Sequence, residues 1–186
     1  MLLKVLSLFL CLQLVDSCRL RCRNRTQCDD GWTYYKRNTT GWCMKMMRAE
    51  SEDLNKTSAE NVCKASGAVL SSIDNMDMFN VVLGLREGPF DGFFWIGAEL
   101  KADCECGNMK CIWKPECELV GYIWTDGFSL TTPINSLDSI EEINTEIENG
   151  YIYVASYIVV FWNGSVRTMA SFMMTNRMLC GKQSNY

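Results

Sequence analysis

Cysteine content constrains this chain more than any other feature. Eleven cysteines occur in 186 residues, and histidine is absent. Cys11 lies in a leading segment with the pattern of an export signal. Lys4 stands near the start, residues 2–15 are almost wholly apolar, and Val15 and Ser17 precede Cys18 as cleavage-site residues. The run is too short for a membrane span, which needs about 20 apolar residues. Residues 1–17 are therefore expected to be a signal peptide, and the mature chain is expected to be secreted. Ten cysteines remain, and an even number in an exported chain reads as a disulfide framework. Zinc is the weaker reading. Cys104, Cys106, Cys111 and Cys117 cluster, but without the paired Cys-x-x-Cys spacing of zinc knuckles.

Composition narrows the function. With 48% hydrophobic and 22% charged residues the chain is globular, and its length suits one ordinary domain. A net charge of −4 argues against nucleic acid and against anionic membrane surfaces. The lack of histidine excludes Ser-His-Asp and Cys-His catalysis and histidine-ligated metals. No nucleophile motif stands out, so a binding protein is expected rather than an enzyme, with no cofactor. Four Asn-x-Ser/Thr sequons, at Asn24, Asn38, Asn55 and Asn163, agree with export and mark expected N-glycosylation sites. The longest later apolar run, residues 152–162, has half the length of a span and the Val/Ile/Tyr/Phe content of a buried strand.

Residues 18–27 form a short basic extension with Arg19, Arg21, Arg23 and Arg25, tied by Cys18 and Cys22. It reads as a solvated terminus, the alternative being an arm for an anionic partner. Trp32, Tyr34 and Tyr35 are strand formers, residues 38–41 have turn composition, and Trp42-Cys43-Met44 returns. This is a hairpin in which Cys28 and Cys43 could lie across the two strands. Thr57 and Glu60 have capping-box spacing and open a helix with Ala59, Val62, Cys63 and Ser66 at helical intervals, stopped by Gly67. Asp74 is expected to cap a second helix, with Phe79, Val82 and Leu83 on one face and Gly88-Pro89 at its end. Strands are expected at 93–98, 151–162 and 177–181, and a strand followed by a turn at 122–127. The cysteine-dense segment 104–117 reads as a stapled loop, and 128–149 as a long acidic loop. Met44, Met46, Met47, Met173 and Met174 read mainly as strand core, with a soft, adaptable surface as the alternative. Helices early and strands late make the fold class α+β.

These segments resemble the C-type-lectin-like domain. Cys28-Asp-Asp-Gly-Trp-Thr-Tyr-Tyr35 with Gly41-Trp-Cys43 is similar to its opening hairpin. Ala59-Glu-Asn-Val-Cys63 with Gly67-Ala-Val-Leu-Ser71 is similar to its first helix and the strand after it. Trp95-Ile-Gly-Ala98, Tyr122-Ile-Trp-Thr-Asp-Gly127, Asn163-Gly-Ser-Val166 and Arg177-Met-Leu-Cys-Gly-Lys182 resemble its later landmarks. The wording is nearest to the secreted nematode members, and the resemblance covers residues 28–183. It implies two short helices packed on antiparallel strands, a long irregular loop region, and disulfides pairing Cys28 with Cys43 and Cys63 with Cys180. It also implies recognition of a carbohydrate or an extracellular protein, with roles in innate defence. A structural glycoprotein that uses the fold as a scaffold is the alternative.

The sequence departs from that family at two places. The disulfide that closes the family's long loop is missing at both ends: Ser171 replaces one cysteine, and residues 151–155 hold none. Cys104, Cys106, Cys111 and Cys117, with Cys18 and Cys22, leave 15 possible connectivities. The calcium-binding pattern is also reduced. Sugar-binding members carry Glu-Pro-Asn or Gln-Pro-Asp and a later Asn/Asp pair, because calcium needs about 6–8 oxygen ligands. Thr132-Pro133-Ile134-Asn135 keeps one amide oxygen, and the later positions hold Arg167 and Thr168. No metal is expected at the usual sugar site. The acidic run Asp138, Glu141, Glu142, Glu146 and Glu148 reads as a solvated loop, with an unconventional cation site as the alternative. If sugars bind, Trp124, Trp162 and Asn135 are the expected contacts, the rings through stacking, with core packing of Trp124 and Trp162 as the alternative.

Overall fold

The computed structural model describes residues 27–50, 54–88, 92–101, 121–137, 140–141, 146–148, 151–153, 155–170 and 173–185. The leading segment, the basic extension with Asn24, and Cys104, Cys106, Cys111 and Cys117 lie outside the described residues.

Two strands open the fold, β1 (Thr33–Lys36) and β2 (Gly41–Arg48). They pair antiparallel with Tyr34 opposite Cys43, and Cys28 is bonded to Cys43. Helix α1 (Lys56–Ala65) follows. Its cap is Asn55, whose side chain accepts from the Ser58 N–H at 2.9 Å, and Thr57 lies inside the first turn. The expected capping box is therefore displaced. Glu60 holds Lys56 instead, one turn below it, at 2.8 Å. The helix stops as expected. Gly67 turns left-handed at φ 66°, and the N–H groups of Gly67 and Ala68 close on Lys64 and Cys63 carbonyls at 3.0 Å, a Schellman stop.

Strand β3 (Val69–Leu70) leads to helix α2 (Met76–Gly84). Its cap is Asn75, which accepts from Met78 N–H at 2.9 Å, rather than the neighbouring Asp74. Asp74 is drawn toward Arg37, with Oδ2 3.3 Å from Nε. The remaining elements are β4 (Phe93–Leu100), β5 (Tyr122–Trp124), α3 (Pro133–Ser136), β6 (Glu146–Glu148), β7 (Tyr151–Tyr153), β8 (Ala155–Phe161), β9 (Val166–Ala170) and β10 (Arg177–Gln183).

One sheet runs in the order β1-β2-β10-β4-β8-β9, with β3 on β10 and β5 on β4; β6 and β7 form a separate pair. Its pairings are antiparallel except β10 with β4, which run parallel where Met178 meets Trp95. Alternate residues of a strand face opposite ways, and the sheet uses both faces. Phe94, Ile96 and Ala98 of β4 join Ile158, Val160 and Leu179 under the α2 residues Met78, Phe79 and Val82. Phe93 and Trp95 join Val159, Met178 and Cys180 under the α1 residues Ala59 and Cys63. The two helices thus cover opposite faces. On the α1 face Cys63 is bonded to Cys180 across 117 residues. A closed loop near 100 residues contributes roughly 4.7 kcal/mol in the chain-entropy model. Gly181 follows because a side chain there would run into the Trp42 indole. Met44 is fully buried, as a strand-core residue should be, whereas Met174 is 51% exposed.

Candidate ligand-binding face

After β5 the chain makes a compact excursion at one pole of the sheet. Thr125 N–H donates to Gly97 O at 2.7 Å. Asp126 comes next, and its side chain is fully shielded from solvent. Its Oδ1 accepts from the N–H groups of Phe128 and Ser129 at 3.0 and 3.1 Å, around Gly127 at φ 74°. This is the turn chemistry expected of Thr-Asp-Gly. Its Oδ2 faces inward and accepts from Ser72 N–H at 3.1 Å, from the Ser72 hydroxyl, and from Arg37 Nη1 at 3.0 Å.

Arg37 is buried although it sits in the β1–β2 turn. Its Nη2 donates to Ser72 O at 3.2 Å and Ser72 Oγ at 2.8 Å, and its guanidinium lies 3.8 Å from the centre of the Trp42 ring. Burial pushes the Asp126 carboxyl upward. The Ser72 hydroxyl, the Arg37 charge and the N–H groups of Phe128 and Ser72 outweigh it, so the group ends below its ordinary value. One carboxylate thereby locks three chain segments, the hairpin turn, the β3–α2 connection and the excursion after β5. Sequence reasoning missed Arg37 and Ser72. The only signal was the Thr-Asp-Gly turn, which located Asp126 without its partners.

Beyond the turn, Ser129 Oγ meets Thr131 Oγ1 at 3.0 Å, and Thr131 Oγ1 meets Ser136 Oγ at 2.7 Å. Pro133 opens α3, where a missing N–H costs nothing. Leu130 stands 76% exposed at the tip. Asn135 is exposed as well, while its N–H donates to Thr132 O at 3.0 Å.

The three expected sugar contacts do not converge. Asn135 lies on this pole. Trp124 pairs opposite Ala98 of β4 and is only 9% exposed, packed into the core under α2. Trp162 lies at the other pole, its N–H on Gly92 O at 2.8 Å. Ala98 lies six residue steps beyond Gly92 along β4, about 20 Å at roughly 3.3 Å per residue. The Trp162 indole is half-buried, with the Arg177 guanidinium 4.7 Å from its centre and its own N–H on Gly88 O at 3.1 Å.

The positions of the later calcium ligands fall on β9. Thr168 is buried, and Arg167 Nε lies 2.7 Å from Glu141 Oε2. The same guanidinium covers Phe161 at 4.8 Å. Backbone bonds fix Glu141 beside β9, its N–H on Val166 O at 2.9 Å and its carbonyl accepting from Thr168 at 3.2 Å. A carboxylate from the acidic run is therefore held against a guanidinium where a cation site would need it free. Asp138 and Glu142 lie outside the described residues, and Glu146 and Glu148 are described only as backbone of β6. Among the described residues, no three His, Cys, Asp or Glu side chains group closely enough to hold a metal ion.

Similarity to known proteins follows the same lines. No curated protein sequence matches the chain. Solved structures match in fold at low identity. The trimeric Kupffer cell C-type lectin receptor Clec4f shares 16% identity with a TM-score of 0.54, covering 94% of this chain and 92% of that one. A calcium-independent type II antifreeze protein shares 18% with a TM-score of 0.51, covering 84% and 95%. The cow CD23 carbohydrate-recognition domain, solved in the presence of a GlcNAc2Man3 oligosaccharide, shares 13% with a TM-score of 0.52, covering 86% and 98%. The family described as C-type lectin domain-containing protein 141/158 matches residues 32–128, just over half of the chain. Hairpin, two helices, mixed sheet, both bridging disulfides and this match agree, and the chain belongs to that C-type lectin domain family.

Proposed function

We propose that this is a secreted, non-enzymatic binding protein that recognises a carbohydrate or protein ligand, without calcium at the usual sugar position. The observation that carries the reading is the Arg167–Glu141 pair at 2.7 Å. A guanidinium repels a divalent cation and cannot donate a lone pair to one. Here it also neutralises a nearby carboxylate. The fold tolerates both modes of use, since its structural relatives include a calcium-independent antifreeze protein and a carbohydrate-recognition domain. Contact then falls to the loop pole, with exposed Asn135 and Leu130. Export, supported by the leading segment and the cysteine count, and a role in innate defence, suggested by the family alone, complete the reading.

Titration calorimetry with millimolar calcium is expected to give no saturable heat, and a clear saturable signal would sink the calcium-free reading. Glycan-array binding is expected to survive a chelator. A second reading, a structural glycoprotein with no small ligand, has one observation in its favour. Trp124 is packed into the core and Trp162 is half-buried against it, which leaves little aromatic surface for stacking. Silence across the array would favour that reading.

A further inference from the structure

Three of the four sequons fall on described residues, and the structure treats them differently. Asn55 is the α1 cap, and the middle residue of its sequon, Lys56, is buried. Asn38 is exposed in the β1–β2 turn, but its sequon threonine, Thr40, turns its hydroxyl to Gly41 O at 2.8 Å. Asn163 stands at the exposed tip of the β8–β9 turn. Its Oδ1 accepts from both the N–H and the hydroxyl of Ser165, each at 2.9 Å. Gly164, at φ 91°, supplies the left-handed residue of the turn, and its N–H closes on Phe161 O at 2.8 Å.

We infer that Asn163 is a covalent attachment site for an N-linked glycan, and that this glycan screens the Trp162 pole of the sheet. Both Ser165 donors draw electron density toward Oδ1, which favours loss of a proton from Nδ2 as that nitrogen attacks. The bonds that hold this arrangement span only residues 161–165, so it needs no distant part of the fold. The donor is a polyprenyl-diphosphate-linked oligosaccharide. The Asn163 Nδ2–C1 bond forms while the bond from C1 to the diphosphate oxygen breaks. The Nδ2 proton passes to a base of the transferase, and the polyprenyl diphosphate leaves. In the folded chain Asn163 is exposed in the β8–β9 turn, so a bulky, solubilising group fits without displacing the core. Trp162 directly precedes Asn163, so the glycan keeps large ligands from that indole and leaves the loop pole open for recognition.

The inference rests on the export reading, and the test separates the two. The full chain is expressed in a eukaryotic secretory host in two forms, one with its own first 17 residues and one with a standard export signal in their place. Exported protein is digested with peptide N-glycosidase and mapped by mass spectrometry. Conversion of Asn163 to Asp in the treated sample alone is the expected result. Asn163→Gln and Ser165→Ala should each lose the mass of one glycan, and Ser165→Thr should keep it. Failure of the native form to leave the cell, with Asn163 glycosylated in the signal-replaced form, refutes export and supports the site. An exported chain with unmodified Asn163 overturns the inference, as does a Ser165→Ala variant that keeps its full glycan mass.

Discussion

Arg37 and Arg167 each hold a carboxylate at close range, Asp126 at 3.0 Å and Glu141 at 2.7 Å. Their surroundings have little in common. The Arg37 and Asp126 side chains are 1% and 0% exposed, whereas those of Arg167 and Glu141 are 36% and 60% exposed. In the first pair both charges have lost their water, and Ser72, Asp74 and the Trp42 ring replace it. Such a network contributes little net stability against a well-packed apolar substitute, but removing one member strands the other. In the second pair both charges keep much of their hydration. Its free energy is small, and its importance lies in which ion it displaces. The same pairing of a guanidinium with a carboxylate therefore holds segments together at one pole and alters the chemistry of the β9 edge.

The largest effect should come from stranding the buried cation. Asp126→Ala is expected to cost about 3 kcal/mol, because Arg37 would remain buried with only Asp74, 3.3 Å from its Nε, as counter-charge, and the Ser72 groups would lose their acceptor. Urea unfolding followed by tryptophan fluorescence measures it. A loss under about 1 kcal/mol would put the pair in the same class as the exposed one. The acid side offers a second measure. The Asp126 carboxyl is held below its ordinary value, so its stabilisation is fully present above about pH 3.9 and fades as the pH falls through the folded value. The gap in urea midpoint between the native chain and Asp126→Ala should therefore be flat near neutrality and narrow only below about pH 4. A gap that narrowed between about pH 5 and 7 would contradict a depressed carboxyl.

This contrast shows what the sequence could and could not disclose. Cys28, Cys43, Cys63 and Cys180 were legible because ordered landmarks fixed their places in a known architecture, and both bonds stand in the structure. Strands rich in Val, Ile and Trp were legible from composition. The helix caps came out one or two residues off. Near each helix start several short polar side chains compete for the same N–H groups, and the winner is decided elsewhere. Asp74 leaves its cap position to Asn75 because Arg37 claims it, and Arg37 lies 37 residues earlier in the chain. The Arg37–Asp126 junction spans 89 residues, a distance at which no local pattern speaks. Trp124 looked like a stacking platform because an aromatic strand residue reads alike whether it faces ligand or core. Only pairing with β4 shows that it faces inward.

Lys56 lies between the two extremes and tests whether burial of the cation alone sets the scale. Its side chain is 4% exposed, but its partners Glu60 and Glu99, each at 2.8 Å, are 28% and 39% exposed. Burial pulls the ammonium pKa down, and the two carboxylates more than reverse this, leaving it raised. Lys56→Met keeps the aliphatic stem and leaves carboxylates that can still reach water. A cost of about 1 kcal/mol is expected from unfolding curves, well short of that for Asp126→Ala. The raised value places the loss of this contribution on the alkaline side, beginning above about pH 10.4. A cost equal to that of Asp126→Ala would mean that a buried cation decides the outcome even when its carboxylate is wet.

The smallest effect on stability should come from Glu141→Gln, and it is the most informative about ligand chemistry. The pair is exposed enough that its loss should change stability by at most about 0.5 kcal/mol, and by less at 1 M salt, where the Debye length is about 3 Å. The Glu141 backbone bonds to Val166 and Thr168 do not depend on its side chain, so the edge of β9 should keep its shape. Arg167 would still stand beside Phe161, now without its counter-charge. If the guanidinium is what excludes a divalent cation, Glu141→Gln should leave calcium calorimetry silent, since it adds positive potential. Reversing the other partner is the sharper comparison. Arg167→Gln frees the Glu141 carboxylate and removes the repulsion, yet still leaves far fewer than the about 6–8 oxygen ligands that calcium takes. Calcium heats that stay absent in both variants would show that the ligand set, and not the guanidinium alone, had been lost. Saturable heat in Arg167→Gln but not in Glu141→Gln would instead single out the arginine as the residue that closes the site.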